Sequence, residues 1–225
     1  MFEIASYTAP GEGSENQDAY EIHPHPENAE YRLFALADGQ GGREGAATAA
    51  STACRTLIRA ASSYAPGDLI RSQSWKQLMP LADKAVLHDC TAGFTTLVAF
   101  CITPMGVCGA SSGDSAVLLA NGDQTAEILT AGQFKNPPVG SGNARFSTFS
   151  ARLTNPWTLI AMSDGVWKYT GWDPICRIAA SHGPSQGIIH CLRNYAASPV
   201  CGQLQDDFTL VVFQSAMTEI NHAGR

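Results

Sequence analysis

The sequence predicts an α+β fold in which antiparallel sheets are covered by helices. Strand-type runs come in groups instead of alternating with helices, and two long helix-type segments follow one another between those groups. Asn121-Gly122, set between apolar runs, is a hairpin signal and favours antiparallel pairing.

The first strands are Phe2 to Tyr7, Gln17 to Ile22 and Tyr31 to Ala37, separated by clusters of Pro and Gly. After Gly42 the texture changes. "REGAATAASTACRTLIRAASSY" is rich in Ala, has apolar residues at helical spacing and lacks Pro or Gly beyond Gly45. "GDLIRSQSWKQLMPLADKAVLH" predicts a second helix, with Asp68 as its N-cap and Pro80 as a kink or break. Strands return from Gly93: "FTTLVAFCIT", a turn at Pro104 to Gly106, "VCGASSGDSAVLLA", a tight turn at Asn121-Gly122, then "QTAEILT". "GQFKNPPVGSGN" reads as a loop, and "ARFSTFSA" and "WTLIAMS" as strands. "DPICRIAASH" and "PSQGIIHCLRNYAAS" read as helices, and "DFTLVVF" as a closing strand.

At 225 residues and 44% hydrophobic content the chain suits one domain with a sizeable core, and no repeat or low-complexity linker divides it. The net charge of -6 argues against an electrostatic grip on nucleic acid or an anionic membrane, so any phosphate it handles needs local help. The seven cysteines are odd in number and never fall in Cys-x-x-Cys spacing; they read as small buried hydrophobes in a reducing compartment. "MFEIASYTAP" has no signal-peptide pattern and no run is long enough to span a bilayer, so the expected location is the cytoplasm. The six histidines are scattered, two of them in a Pro-rich "HPHP" loop, and read as packing or surface residues. "WKYTGW" reads as an aromatic cluster packing the helix that follows.

The chemistry lies in the aspartates. Asp18 in "ENQDAY", Asp38 in "LADGQGG", Asp114 in "SSGDSAV", Asp164 in "MSDGVW" and Asp206-Asp207 in "QDDFTLVV" nearly all stand where an apolar strand begins or ends. Singly, each Asp-Gly is at home in an ordinary turn. As a set, carboxylates gathered at one sheet edge repel one another and need a counter-charge. Oxygen ligands without a His or Cys cluster point to Mg²⁺ or Mn²⁺.

In order and context, "ENQDAY", "ALADGQGGREGAATAAS", "GFTTLVA", "ASSGDSAVLL", "LIAMSDGVW" and "DDFTLVV" resemble the motifs of the metal-dependent PPM family of serine/threonine protein phosphatases (protein phosphatase 2C-like), especially its short bacterial members. The resemblance spans residues 16 to 213. It implies a four-layer α-β-β-α sandwich, two antiparallel sheets flanked by paired helices, with the site at one end. By position, Asp38 resembles the carboxylate bridging two metals, with the Gly39 carbonyl, Asp164 and Asp206 completing the pair. Asp114 resembles the ligand of a third, weaker metal, and Asp18 the carboxylate that holds metal-bound water. The family pattern fits Asp206 as the ligand, leaving Asp207 as a polar neighbour. The implied reaction is hydrolysis of phosphoserine and phosphothreonine by a water activated between two Mn²⁺ or Mg²⁺ ions, without a phosphoenzyme.

Three departures stand out. An arginine that grips phosphate in many members is here Gly13; Arg43 is a candidate replacement, although it reads equally as a solvated first-turn residue. A histidine in many eukaryotic members is here Gln40, which supplies no acid proton. The usual flap is cut to about residues 131–147, which implies an open site. The implied partners are a phosphorylated protein and its cognate serine/threonine kinase. Two alternatives stay open: a regulatory module that keeps the fold without catalysis, and a phosphatase of a small phosphorylated metabolite or an anti-sigma antagonist.

Overall fold

The computed structural model describes residues 2–12, 15–41, 44–122 and 126–216. Gly13, Gly42 and Arg43, and His222 among the six histidines, lie outside them.

Among the described residues, ten strands form two antiparallel sheets of five. One has the order β1-β10-β9-β6-β7: β1 (Phe2–Ala9), β10 (Phe208–Ser215), β9 (Thr158–Met162), β6 (Ala116–Ala120) and β7 (Ala126–Ile128). The other has the order β2-β3-β4-β5-β8: β2 (Asp18–His25), β3 (Asn28–Asp38), β4 (Leu97–Thr103), β5 (Gly106–Ser112) and β8 (Ser147–Arg152). Helices α1 (Ala46–Ala61) and α2 (Ser72–His88) cover the second sheet, burying Leu57, Trp75 and Leu78 against Leu33 and Ala35. Helices α3 (Asp164–Thr170), α4 (Trp172–Ala180) and α5 (Ser185–Ala196) cover the first, burying Ile175 and Leu192 against Ile160 and Leu210. Between the sheets lies an aromatic layer in which Phe34 packs against Phe100 at 4.7 Å and edge-on to Phe213 at 5.5 Å.

This is the expected four-layer sandwich, with corrections of detail. The second helix starts at Ser72 with Arg71 before it, so Asp68 is not its N-cap. Asp68 ends a 3₁₀ turn over Pro66–Asp68, whose carbonyls accept the amides of Leu69 and Arg71. Pro80 sits inside a continuous α2 and does not end it. "HPHP" is not a loop: β2 runs through His25 with a bulge between Pro24 and His25, tolerable because β2 is an edge strand. "VCGASSGDSAVLLA" is two strands in different sheets, the chain crossing at 113–115. Asn121-Gly122 is not a two-residue turn, since Ala120 pairs with Ala126; the Asn121 side chain instead accepts the Thr154 amide at 3.0 Å. Only Cys54, Cys101 and Cys108 are buried, whereas Cys90, Cys191 and Cys201 are exposed and Cys176 is half-buried. Among the described residues, no helix is long and apolar enough to cross a membrane.

Candidate active site

In antiparallel sheets, the end of one strand and the start of its neighbour share an edge. Asp18 opens β2 and stands opposite Asp38, the last residue of β3. Ala116, opening β6, and Leu210, near the start of β10, both face Met162, where β9 ends. Gln17, Asp38, Thr95-Thr96, Gly113-Asp114, Asp164 and Asp206-Asp207 therefore meet at one end of the sandwich, lining a cavity of about 330 Å³.

Side-chain alternation aims the first two carboxylates. Asp38 shares a strand face with Leu36 and Phe34, and Asp18 with Tyr20 and Ile22, all on the layer between the sheets. Both Asp18 oxygens are buried without a hydrogen bond of regular geometry. The hydroxyls of Thr209 and Ser163, from the opposite sheet's edge, lie near enough to lower its pKa, but burial dominates and pushes it up to about 7. Burial pushes Asp38 up to about 9, helped by the charges of Asp18, Asp164, Asp114 and Asp206. Asp207 and Asp164 also act on Asp18, so among the described residues six carboxylates bear on one another in and beneath this cavity.

The backbone at Asp38 is fixed. Its amide donates to Thr96 Oγ1 at 2.9 Å, and its carbonyl accepts from Thr96 N and Thr95 Oγ1, both at 2.8 Å. Gly39 follows because the chain passes too close to its neighbours for a side chain: a Cβ would lie 2.5 Å from the Ala46 carbonyl oxygen. Asp164 does not end a strand; it is the first residue of α3. Gly165 lets that helix start against the segment before β10, since a Cβ there would lie 2.1 Å from the Asp207 carbonyl oxygen.

Asp206 and Asp207 differ in what they hold. Asp207 accepts the amides of Gly11 at 3.0 Å and Gln17 at 2.6 Å, tying the segment before β2 to that before β10. Among the described residues Asp206 accepts only the adjacent Asp207 amide, at 3.0 Å.

Two cations missed by the sequence reading line the same cavity. Lys168, one turn after Asp164, pairs with its Oδ2, and Lys135 of the 131–146 loop pairs with Asp114 Oδ2. Asp164 is still raised, because burial outweighs its bond to Lys168. Lys168 is raised too: burial opposes this, but Asp164, Asp114 and Asp206 outweigh it. No arginine lines the cavity among the described residues, and Arg43 falls outside them. Trp167 stacks on Trp172 at 5.5 Å, as the aromatic reading of "WKYTGW" expects, and also donates to the Asp114 carbonyl at 2.9 Å, a contact the sequence does not reveal.

The donor set suits a hard divalent cation: carboxylates, with no His or Cys in the lining among the described residues and a buried, orphaned Asp18 beneath. Among the described residues no group of three or more His, Cys, Asp or Glu is arranged to hold an ion. Asp114 and Asp164 are instead closed on ammonium groups.

A family model described as protein phosphatase 2C matches residues 8–174. The fold resembles a bacterial serine phosphatase with a TM-score of 0.77 at 18% identity, covering 98% of this chain and 100% of that one. It resembles serine/threonine phosphatase Stp1 from Staphylococcus aureus with a TM-score of 0.77 at 18% identity, over 96% of each chain. For RsbX, solved in complex with magnesium, the TM-score is 0.74 at 14% identity, over 96% of this chain and 100% of that one. No curated protein sequence matches the chain.

Proposed function

The chain belongs to the protein phosphatase 2C family, and from that footing we propose that it hydrolyses phosphoserine and phosphothreonine in proteins, as one phosphatase domain over residues 1–225 with a shortened flap at about 131–147. Asp38, the Gly39 carbonyl, Asp164 and Asp206 would hold two Mn²⁺ or Mg²⁺ ions, with Asp114 serving a third in competition with Lys135. Such ions supply charge that acidifies water and offsets the phosphoryl oxygens. Asp18, buried below, would hold a water of that site in place by a hydrogen bond. Thr95 and Thr96 hold the Asp38 backbone still, and Asp207 keeps the 11–17 segment in place.

The observation that carries this reading is the convergence of Asp38, Asp114, Asp164 and Asp206 on the lining of one cavity, with Asp18 directly opposite Asp38. Like charges so placed destabilise a fold unless a cation joins them. A partner kinase and a cytoplasmic setting belong to the same proposal.

The test is hydrolysis of p-nitrophenyl phosphate and a phosphothreonine peptide with Mn²⁺, with EDTA, and with Asp38→Asn and Asp206→Asn. Turnover that requires Mn²⁺ and is lost in both variants is expected. Turnover in EDTA, or unchanged in the variants, overturns the assignment. A non-hydrolytic module is favoured by one observation, the lysine partners already on Asp114 and Asp164. Mn²⁺ binding without turnover of either substrate would select it.

A further inference from the structure

Positive side-chain charge reaches the cavity, among the described residues, through Lys135 and Lys168 alone. Each is held beside an anchor on the same two-residue segment. The Phe134 carbonyl, next to Lys135, accepts the Gly113 amide at 2.8 Å, and the Trp167 indole, next to Lys168, donates to the Asp114 carbonyl at 2.9 Å. The loop carrying Lys135 is fixed further along, where Val139 and Thr95 exchange backbone bonds at 3.0 and 3.1 Å and Asp83 accepts the amides of Gly140, Gly142 and Ala144. The residue before each lysine is thus pinned to the segment that crosses between the sheets.

An ammonium has three donors. Each lysine spends one on an aspartate, and no other partner is found among the described residues. Their side chains are 67% and 39% exposed, so the remaining donors are open to a solute entering the cavity. A carboxylate-lined cavity repels a phosphate dianion, and two ammonium groups at its wall oppose that repulsion. Lysine serves such a site as a compact point charge.

We propose that Lys135 and Lys168 form a two-lysine clamp that receives the phosphoryl oxygens of the substrate. The clamp rests on the phosphatase reading for its substrate but makes a separate claim, that inorganic phosphate binds through these two side chains.

The experiment measures inorganic phosphate affinity by calorimetry in the presence of Mg²⁺, and KM for p-nitrophenyl phosphate. It compares the parent with Lys135→Met, Lys168→Met, the double variant and both Lys→Arg variants, titrating Mg²⁺ separately in each. Each Met variant is expected to weaken phosphate binding and raise KM about tenfold, equivalent to about 1.4 kcal/mol, with the Arg variants within about threefold of the parent. Mg²⁺ affinity should hold or tighten. Lys→Gln variants replace any Met variant that loses its circular-dichroism spectrum. Unchanged phosphate affinity overturns the clamp, as does a loss that merely tracks weakened Mg²⁺ binding, or a parent that binds no phosphate. If the parent binds phosphate through the lysines yet turns over no ester, the clamp stands and the hydrolytic reading fails. If turnover persists with KM untouched by either substitution, the clamp fails and the hydrolytic reading stands.

Discussion

Asp18 and Asp38 face each other directly across the β2–β3 ladder, both on the side that looks toward the other sheet. Two carboxylates so placed take up protons in the folded protein that they release in the unfolded chain. Their pKa values rise to about 7 and about 9 from the ordinary 3.8, so their contribution to stability is complete below 3.8 and is lost as pH climbs through the raised values. In EDTA, the melting temperature should therefore fall between about pH 5 and pH 9, and saturating Mg²⁺ should flatten that decline. A pH-independent melting temperature in EDTA would contradict the placement of these side chains.

Asp206 and Asp207 should separate cleanly on substitution. Asp207→Ala strips the amides of Gly11 and Gln17 of their acceptor and should cost about 1–3 kcal/mol in urea unfolding. Asp206→Asn keeps an acceptor for the Asp207 amide and should change stability by less than about 1 kcal/mol while lowering turnover at least about a hundredfold. The reverse pattern would exchange their roles.

Asp83 is almost fully buried in α2 and accepts three amides from the 140–144 stretch, at 2.7, 3.1 and 3.3 Å. Asp83→Ala should destabilise the protein by about 2–4 kcal/mol and speed hydrogen exchange at Gly140, Gly142 and Ala144. Protection unchanged at those amides would refute the anchor.

Gly165→Ala tests the contact between α3 and the segment before β10. Helix propensity favours alanine by about 1 kcal/mol, but a Cβ 2.1 Å from the Asp207 carbonyl oxygen forces backbone apart, and overpacking of this kind costs about 1–3 kcal/mol. A net loss of stability together with weaker Mn²⁺ binding is expected. A stabilised variant would show that the approach is looser than described.

Much of this was legible in the sequence where local pattern and tertiary role coincide. Apolar runs that begin or end beside Asp marked β2, β3 and β10, and an Ala-rich stretch marked α1. Helix α3 was hidden because Asp164-Gly165 has the signature of a turn and seven residues are too few to display a helical period. Lys135 looked like any solvated loop lysine; its partner Asp114 is brought to it by the crossing between sheets, which no local pattern encodes. Asp206 and Asp207 were harder still, because adjacent carboxylates share one local context. The amides of Gly11 and Gln17, from the far end of the chain, distinguish them. Cys191 failed as a buried hydrophobe because it occupies an outward position on an amphipathic helix.

Strands β1 and β10 pair along their full lengths, from Phe2 opposite Ser215 to Ala9 opposite Phe208. On the ribosome the chain emerges from its N-terminus, so β1 waits for β10 to be made before it gains its neighbour. Asp206 arrives with that neighbour. Asp18 and Asp38 on the other sheet, and Asp114 and Asp164, can all be made while the first sheet is still open along β9, and Asp206 comes only with the strand that closes it. A chain truncated before residue 206 would carry most of the motifs but neither Asp206 nor β10, and is expected to lack activity.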